Sequence, residues 1–273
     1  MFSIQPVERI IQIDALISVY DYVRPKGFYF PGESHDFWEC VYIHEGEVTA
    51  TADDRVYQLG SGKLLLHKPM EFHRIWAKED CAPHVINISF RAKGSLTEQL
   101  ACRCFDLRYP QQEELLRISG LFSSLETAKD KRSVINLIAT RLEAFLIELS
   151  EIKEDSAPSR SPVDSQYSKI VQTMQNHCID NLSLEELAKL CQMSVSNMKR
   201  IFGKYSDVGI AKFYLTLRIR YAKELLEQGM PGNKVAQMLH FSDTAYFYTV
   251  FKRETGLTPA QYRKQQQAYS LPY

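Results

Sequence analysis

Apolar residues recur with a period near two in the first third of the chain and near 3.6 beyond Pro110, and this change of period divides the molecule. From about Val19 to Phe90 the chain reads as short strands between turn residues. Val48 to Thr51 alternate, Asp53 and Asp54 turn, Val56 to Leu59 continue, Gly60 to Gly62 turn again, and Lys63 to Leu66 stop before Pro69. Many short strands at close spacing predict an antiparallel sandwich or barrel. Leu115, Leu116, Ile118, Leu121, Phe122 and Leu125 then fall at helical spacing. Ile135, Leu137, Ile138, Leu142, Phe145, Leu146 and Leu149 follow in a second run, so two amphipathic helices are predicted over about 111–152. Such a pair packs either on its own barrel or, through the long apolar stripe of the second run, on a second copy of the chain.

Residues 153–166, rich in Ser, Pro and charge, contain almost nothing to bury and read as a linker. Residues 167–265 are helical in pattern, and 266–273 form a polar tail. The reading is two domains: an all-β barrel with appended helices over 1–152 and an all-α domain over 167–265.

Within the second domain, two stretches resemble each other at an offset of 48 residues. Leu187 to Ser194 leads into Val195 to Phe202, and Val235 to Ser242 leads into Asp243 to Phe251 with one extra residue. Each reads as a short helix, a tight turn and a second helix. Ala188 and Ala236 are small where the helices cross, Met193 and Phe241 fill the corner, and Ser194 and Ser242 are placed to cap the second helix. Ser183 with Glu186 makes a capping box for the first. Helix pairs of this kind insert the amino-terminal end of the second helix into a major groove, and two of them read segments about 34 Å apart on one face of the duplex. The exposed positions expected to meet double-stranded DNA are Ser196, Asn197, Lys199, Arg200 and Lys204 on the first recognition helix. On the second they are Thr244, Ala245, Tyr248, Thr249 and Lys252. Arg200 suits a bidentate pair with guanine, and the second helix carries less charge, so the first is expected to supply more of the base-specific energy.

The formal charge is zero, yet it is unevenly placed: from Tyr167 onward 14 Lys and Arg face 8 Asp and Glu, while the remainder has 19 against 25. A basic carboxyl-terminal half beside an acidic first half is the pattern of a chain in which one domain meets a polyanion. With 45% hydrophobic and 24% charged residues the composition is that of a globular protein. The six cysteines are scattered, with no CxxC, which points to a reducing compartment and the cytoplasm. Glu8, Arg9 and Asp14 interrupt any signal-peptide core, and no apolar run reaches the roughly 18 residues of a membrane span.

The stretch Val235 to Arg263 resembles the AraC/XylS-type regulators, through Phe241-Ser242-Asp243, Tyr246-Phe247, Phe251-Lys252, Gly256-Leu257-Thr258-Pro259 and Tyr262-Arg263. Arg218, Ala222, Leu225 and Leu226 resemble that family's connecting helix. The resemblance spans about 167–264 and implies a sequence-specific transcriptional regulator, an activator that contacts RNA polymerase as a homodimer. It departs from the family in both turns, where Gln192 and His240 stand in place of glycine, at a strain cost of about 1 kcal/mol each. Thr249 replaces an arginine common in the second recognition helix.

Gly32 to His73 resembles the cupin-type sensor domain of such regulators, with His35, Glu39, Gly46, the Gly60 to Gly62 turn, Pro69 and His73 in sequence. Metal-dependent cupin enzymes carry HxH, a glutamate and a later histidine, and here Glu33 takes the place of the first histidine. The incomplete set implies an effector pocket without metal or cofactor and without catalysis. His35, Trp38, Glu39, His73 and Trp76 are the expected effector contacts, with Tyr42 and Phe72 as further walls, and the effector is a carbohydrate or another small nutrient. For His35 and His73 a buried structural role stays open. A metal-dependent cupin enzyme built from Glu33, His35, Glu39 and His73, fused to the DNA-binding domain, is the alternative.

Overall fold

A computed structural model describes residues 6–101, 103–152 and 162–269. Its contacts divide the chain into two units, Met1–Arg160 and Ser161–Tyr273.

Among the described residues the first unit holds nine strands: β1 (Gln12–Val23), β2 (Tyr29–Glu33), β3 (Trp38–Glu45), β4 (Glu47–Ala52), β5 (Arg55–Gly60), β6 (Lys63–His67), β7 (His73–Trp76), β8 (His84–Lys93) and β9 (Arg103–Asp106). They form a five-stranded sheet, β1-β8-β3-β6-β9, and a four-stranded one, β2-β7-β4-β5, with antiparallel pairing. The pleat decides which side chains meet. On β3, Val41 and Ile43 face the space between the sheets and join Val48, Ala50, Leu65 and Ile75 in one core. The alternate residues Trp38, Cys40 and Tyr42 face the other way, into a second core beneath α1 (Leu96–Leu100), α2 (Tyr109–Ser123) and α3 (Lys131–Ser150). Asp130 caps α3 by accepting from the Arg132 and Ser133 amides. The barrel begins earlier and ends later than the period-two run indicates, since β1 starts at Gln12, ahead of the Val19–Phe90 window, and α1 and β9 lie beyond it.

The second unit is helical: α4 (Pro162–Asn176), α5 (Leu184–Leu190), α6 (Val195–Phe202), α7 (Ile210–Glu227), α8 (Gly232–Met238), α9 (Thr244–Thr255) and α10 (Pro259–Tyr269). Two boundaries differ from the sequence reading. Residues 162–166 are the first turn of α4 rather than linker: Pro162 suits a helix start, and Asp164 is buried and accepts from the Tyr205 hydroxyl at 2.6 Å. The polar tail is helical as far as Tyr269.

The capping box at Ser183 and Glu186 is present. Ser194 caps α6, but α9 is capped by Asp243, not Ser242, because the extra residue of the second turn moves the cap by one. Gln192 and His240 are held at φ 60° and 50°, the left-handed conformation the turn requires. Gly256 ends α9 at φ 77°, and Thr258 with Gln261 then starts α10 through reciprocal side-chain to backbone bonds.

Arg218, on α7, is 5% exposed and ties the two helix-turn-helix units together. Its Nε donates to the Cys178 carbonyl at 3.2 Å and Nη1 to Asn181 Oδ1 at 2.6 Å, both between α4 and α5. Its Nη2 donates to the Leu239 carbonyl at the end of α8, and the guanidinium lies 4.3 Å from the centre of the Phe241 ring.

Candidate functional site

The recognition helices present their faces through amphipathic burial. α6 buries Met198, Ile201 and Phe202, which leaves Ser196, Lys199 and Arg200 exposed and Asn197 partly so; Lys204, expected on this helix, is exposed in the turn after its end at Phe202. Arg200 Nη2 donates to Asn197 Oδ1 at 2.8 Å, so one arm of the guanidinium is fixed along the helix while further N–H donors remain for an external acceptor. α9 buries Phe247, Val250 and Phe251 and exposes Thr244, Ala245, Thr249 and Lys252.

Tyr248 departs from the expectation for a DNA contact. It is half-buried against the α7–α9 core and lies across Gly232, where an added Cβ would come within 2.7 Å of its hydroxyl. The Thr249 hydroxyl donates back to the Ala245 carbonyl at 3.0 Å, which engages its donor within the helix. The residue overlooked is Tyr246, 50% exposed. Aligning the two helices on their caps would have found it, since its amide bonds Asp243 as the Asn197 amide bonds Ser194.

In the first unit a cavity of about 120 Å³ opens between the sheets. Glu33, Glu39, His67, His73 and Asn87 supply its polar lining, and Tyr20, Arg24, Phe28 and Phe30 stand among its aromatic and cationic walls. Glu39 and His73 are therefore among the residues that line this cavity, and His35 reaches the same cluster from the loop before β3. The two tryptophans are not. Trp38 falls on the helix side of β3, and Trp76 lies one residue beyond the inward Ile75, where the Arg74 guanidinium sits 4.8 Å from its ring. Tyr42 also joins the helix-side core, and Phe72 packs beside Gly32. The period-two rule, applied in phase with Glu39, excludes Trp38 and Tyr42 directly. Phe28 and Phe30, two apart beside Glu33, were the legible signal for the walls of this cavity.

Buried polar groups of the cluster are linked in series. His73 Nε2 lies 3.2 Å from Glu39 Oε2, and Ser89 donates to Glu39 Oε1 at 3.1 Å. His67 stacks on His73 at 4.2 Å and shares a 2.7 Å bond with Glu71. Burial opposes ionisation of Glu39, but the bond and charge of His73 outweigh it and hold the carboxyl at about 2. Burial likewise opposes a charged His73, yet Glu39 brings its pKa above the ordinary imidazole value. Burial and the neighbouring His73 push His67 well down and His35 down, keeping both neutral. Burial also raises Glu33. The His35 ring is fixed by stacking on Phe37 and by a 3.0 Å bond between Nδ1 and the Phe37 carbonyl. Its Nε2 is buried without a hydrogen-bond partner, 4.0 Å from Glu33 Oε1. Ligand atoms of Glu33, His35 and His73 lie within 4.8 Å of one another, a donor set that fits a divalent ion. Asn87 Oδ1 is a second buried acceptor lacking a partner.

Comparison with known proteins agrees with both halves of this description. A family profile described as an AraC-like ligand binding domain matches residues 18–189, and one described as a helix-turn-helix domain matches 187–265. The HTH-type transcriptional regulator YbfI of Bacillus subtilis is 28% identical over 251 residues, covering 87% of this chain and 89% of that protein. The HTH-type transcriptional activator RhaR of Mannheimia succiniciproducens is 24% identical over 249 residues, covering 86% and 87%. The crystal structure of ToxT from Vibrio cholerae O395 bound to (E)-4-(8-methylnaphthalen-1-yl)but-3-enoic acid aligns with 94% of this chain and all of that one at 14% identity and a TM-score of 0.40. No described helix is long and apolar enough to cross a membrane.

Proposed function

Because the chain belongs to the AraC family of transcriptional regulators, with a DNA-binding helix-turn-helix domain and an amino-terminal ligand-binding domain, we propose that it is a cytoplasmic, dimeric activator. In this reading a small hydroxylated nutrient in the barrel cavity sets its DNA binding. The observation that carries the DNA side is the face of α6, where Lys199 and Arg200 are exposed together, Asn197 orients Arg200, and Lys204 is exposed in the turn that follows. α9 contributes Thr244, Ala245, Tyr246 and Lys252 to the adjoining groove segment. On the ligand side, Glu33, Glu39 and Asn87 are acceptors for hydroxyl donors, and Phe28, Phe30 and Tyr20 offer apolar faces to a sugar ring.

The effector acts through its different affinity for two arrangements of the protein. For dimerisation, α3 leaves Leu137, Thr140, Ala144 and Ile147 exposed, spaced by three, four and three residues as in a coiled-coil seam. An activator of this kind meets RNA polymerase at the promoter. The test is Arg200→Ala, titrated against duplexes selected by the wild type. Specific affinity falls by about 1–3 kcal/mol and base choice relaxes at one position, whereas unchanged affinity and selectivity would remove Arg200 from the interface.

A second reading, favoured by the unpartnered Nε2 of His35 beside Glu33, is that the cavity holds a divalent transition metal on Glu33, His35 and His73. When bound, the ion supplies a Lewis-acidic anchor for an effector hydroxyl. His73 then gives up its contact with Glu39.

A further inference from the structure

We propose that Asp21 couples the sensor cavity to the helix pair, a step that rests on reading the cavity as the effector site. Asp21 stands on β1 between two cavity residues, Tyr20 and Arg24, and faces the opposite side of the strand. There its carboxylate makes two short bonds to two different elements. Oδ1 lies 2.6 Å from His84 Nε2 on β8, and Oδ2 accepts from the Ser119 hydroxyl on α2 at 2.7 Å. Ser119 is 2% exposed, so its hydroxyl has little water to turn to when Asp21 moves.

His84 is followed on β8 by Val85 and Asn87, both of which line the cavity. Each strand joined by the carboxylate thus carries cavity side chains on one face and the Asp21 bridge on the other. A ligand that displaces Tyr20 or Asn87 must rotate or shift a strand, and one carboxylate cannot keep both bonds through such a movement. The load passes to α2. From α2 it continues to α3 through Arg141, which donates to both oxygens of Glu114 at 2.8 and 3.1 Å. The α3 helix also holds β1 directly, since Glu143 accepts from the Ile13 amide at 2.8 Å. The exposed Leu137 to Ile147 seam lies on this same helix.

The experiment is a double-mutant cycle on the full chain with a cavity-filling substitution standing in for ligand. Ala50, fully buried on β4, lines the cavity, and Ala50→Leu occupies part of it. Hydrogen exchange of the α2 amides and affinity for a wild-type-selected duplex are read in the wild type, Ala50→Leu, Asp21→Asn, Ser119→Ala and the two double variants. Ala50→Leu is expected to change both readouts by about five-fold or more in the wild-type background. In the Asp21→Asn and Ser119→Ala backgrounds it is expected to change neither. Ser119→Ala deletes a single hydroxyl and keeps the cycle interpretable if Asp21→Asn unfolds. The same change in all backgrounds, or no change in any, overturns the proposal. The cavity reading is judged separately, by the shift in Trp-monitored melting with a panel of monosaccharides in wild type and Ala50→Leu. A shift that Ala50→Leu leaves intact removes the ligand from the cavity without bearing on the cycle.

Discussion

Replacing Arg218 tests whether one side chain sets the geometry of the DNA-binding unit. Arg218→Met keeps most of the apolar stem and removes all three hydrogen bonds, to the carbonyls of Cys178 and Leu239 and to Asn181 Oδ1, as well as the stack on Phe241. A buried acceptor left without a donor costs about 1–3 kcal/mol, and the lost cation–π contact about 0.5–2. Some acceptors recover water at the edge of the site, so the sum comes to about 3–5 kcal/mol. Arg218→Lys reaches fewer acceptors because an ammonium lacks the planar fork, and about half of the loss is expected. Both tryptophans, Trp38 and Trp76, lie in the first unit. Urea unfolding followed by far-UV ellipticity therefore weighs the helical unit, while Trp emission follows the barrel. The ellipticity transition moves and the emission transition stays. Below the new midpoint, affinity for duplexes carrying both half-sites falls further than for duplexes carrying the α6 half-site alone, because Leu239 at the second turn is no longer held to Cys178 and Asn181. A loss under about 1 kcal/mol, or one equal to that of an exposed arginine, would refute the clamp.

Gln192→Gly and His240→Gly relieve positive-φ strain and are each expected to stabilise the helical unit by about 1 kcal/mol, nearly additively. A lowered melting temperature would show that the strain is absorbed elsewhere. Leu137→Glu with Ile147→Glu, on the exposed face of α3, shifts sedimentation from dimer to monomer while barrel melting is kept; an unchanged dimer places the interface elsewhere. Chelation followed by metal analysis separates the two pocket readings: stoichiometric Zn, Mn, Fe or Ni lost in Glu33→Ala supports the ion, and metal-free protein that keeps its thermal response to monosaccharides rejects it.

The helical unit was legible because its sequence is repetitive and its turns are punctuated. The register of two motifs, the small residues at Ala188 and Ala236 and the cap at Ser194 each specify local geometry with little help from the rest of the chain. The strain at Gln192 and His240 was read through the resemblance instead, because the family carries glycine at both turns, where a left-handed conformation is needed. The barrel was legible in kind but not in phase. A strand buried on both faces, such as β3 with Trp38 to Ile43, shows no alternation of polarity apart from Glu39, so this one residue is the local mark of which set of side chains meets the cavity. The rest of that information sits in the pairing of β3 with β6 and β8, and in helices that arrive later in the chain. Trp38 and Trp76 were chosen for their chemistry, and topology placed them elsewhere. Asp21 lay just inside the strand-rich window, yet its partners are 63 and 98 residues away, beyond any local pattern.

The back-bonded Thr249 and the packed Tyr248 leave α9 with few polar groups for base edges, whereas α6 carries two exposed cations, Lys199 and Arg200, with Lys204 exposed just past its end. A reader built so unequally gives its operator a front and a back. On the proposed contacts, base changes under the α6 segment are expected to be penalised more than those under the α9 segment, and reversing a single site relative to the promoter is expected not to be neutral. On the proposed contacts, direction along the chromosome is written into one subunit's own asymmetry, and two subunits related by a twofold axis would cancel it.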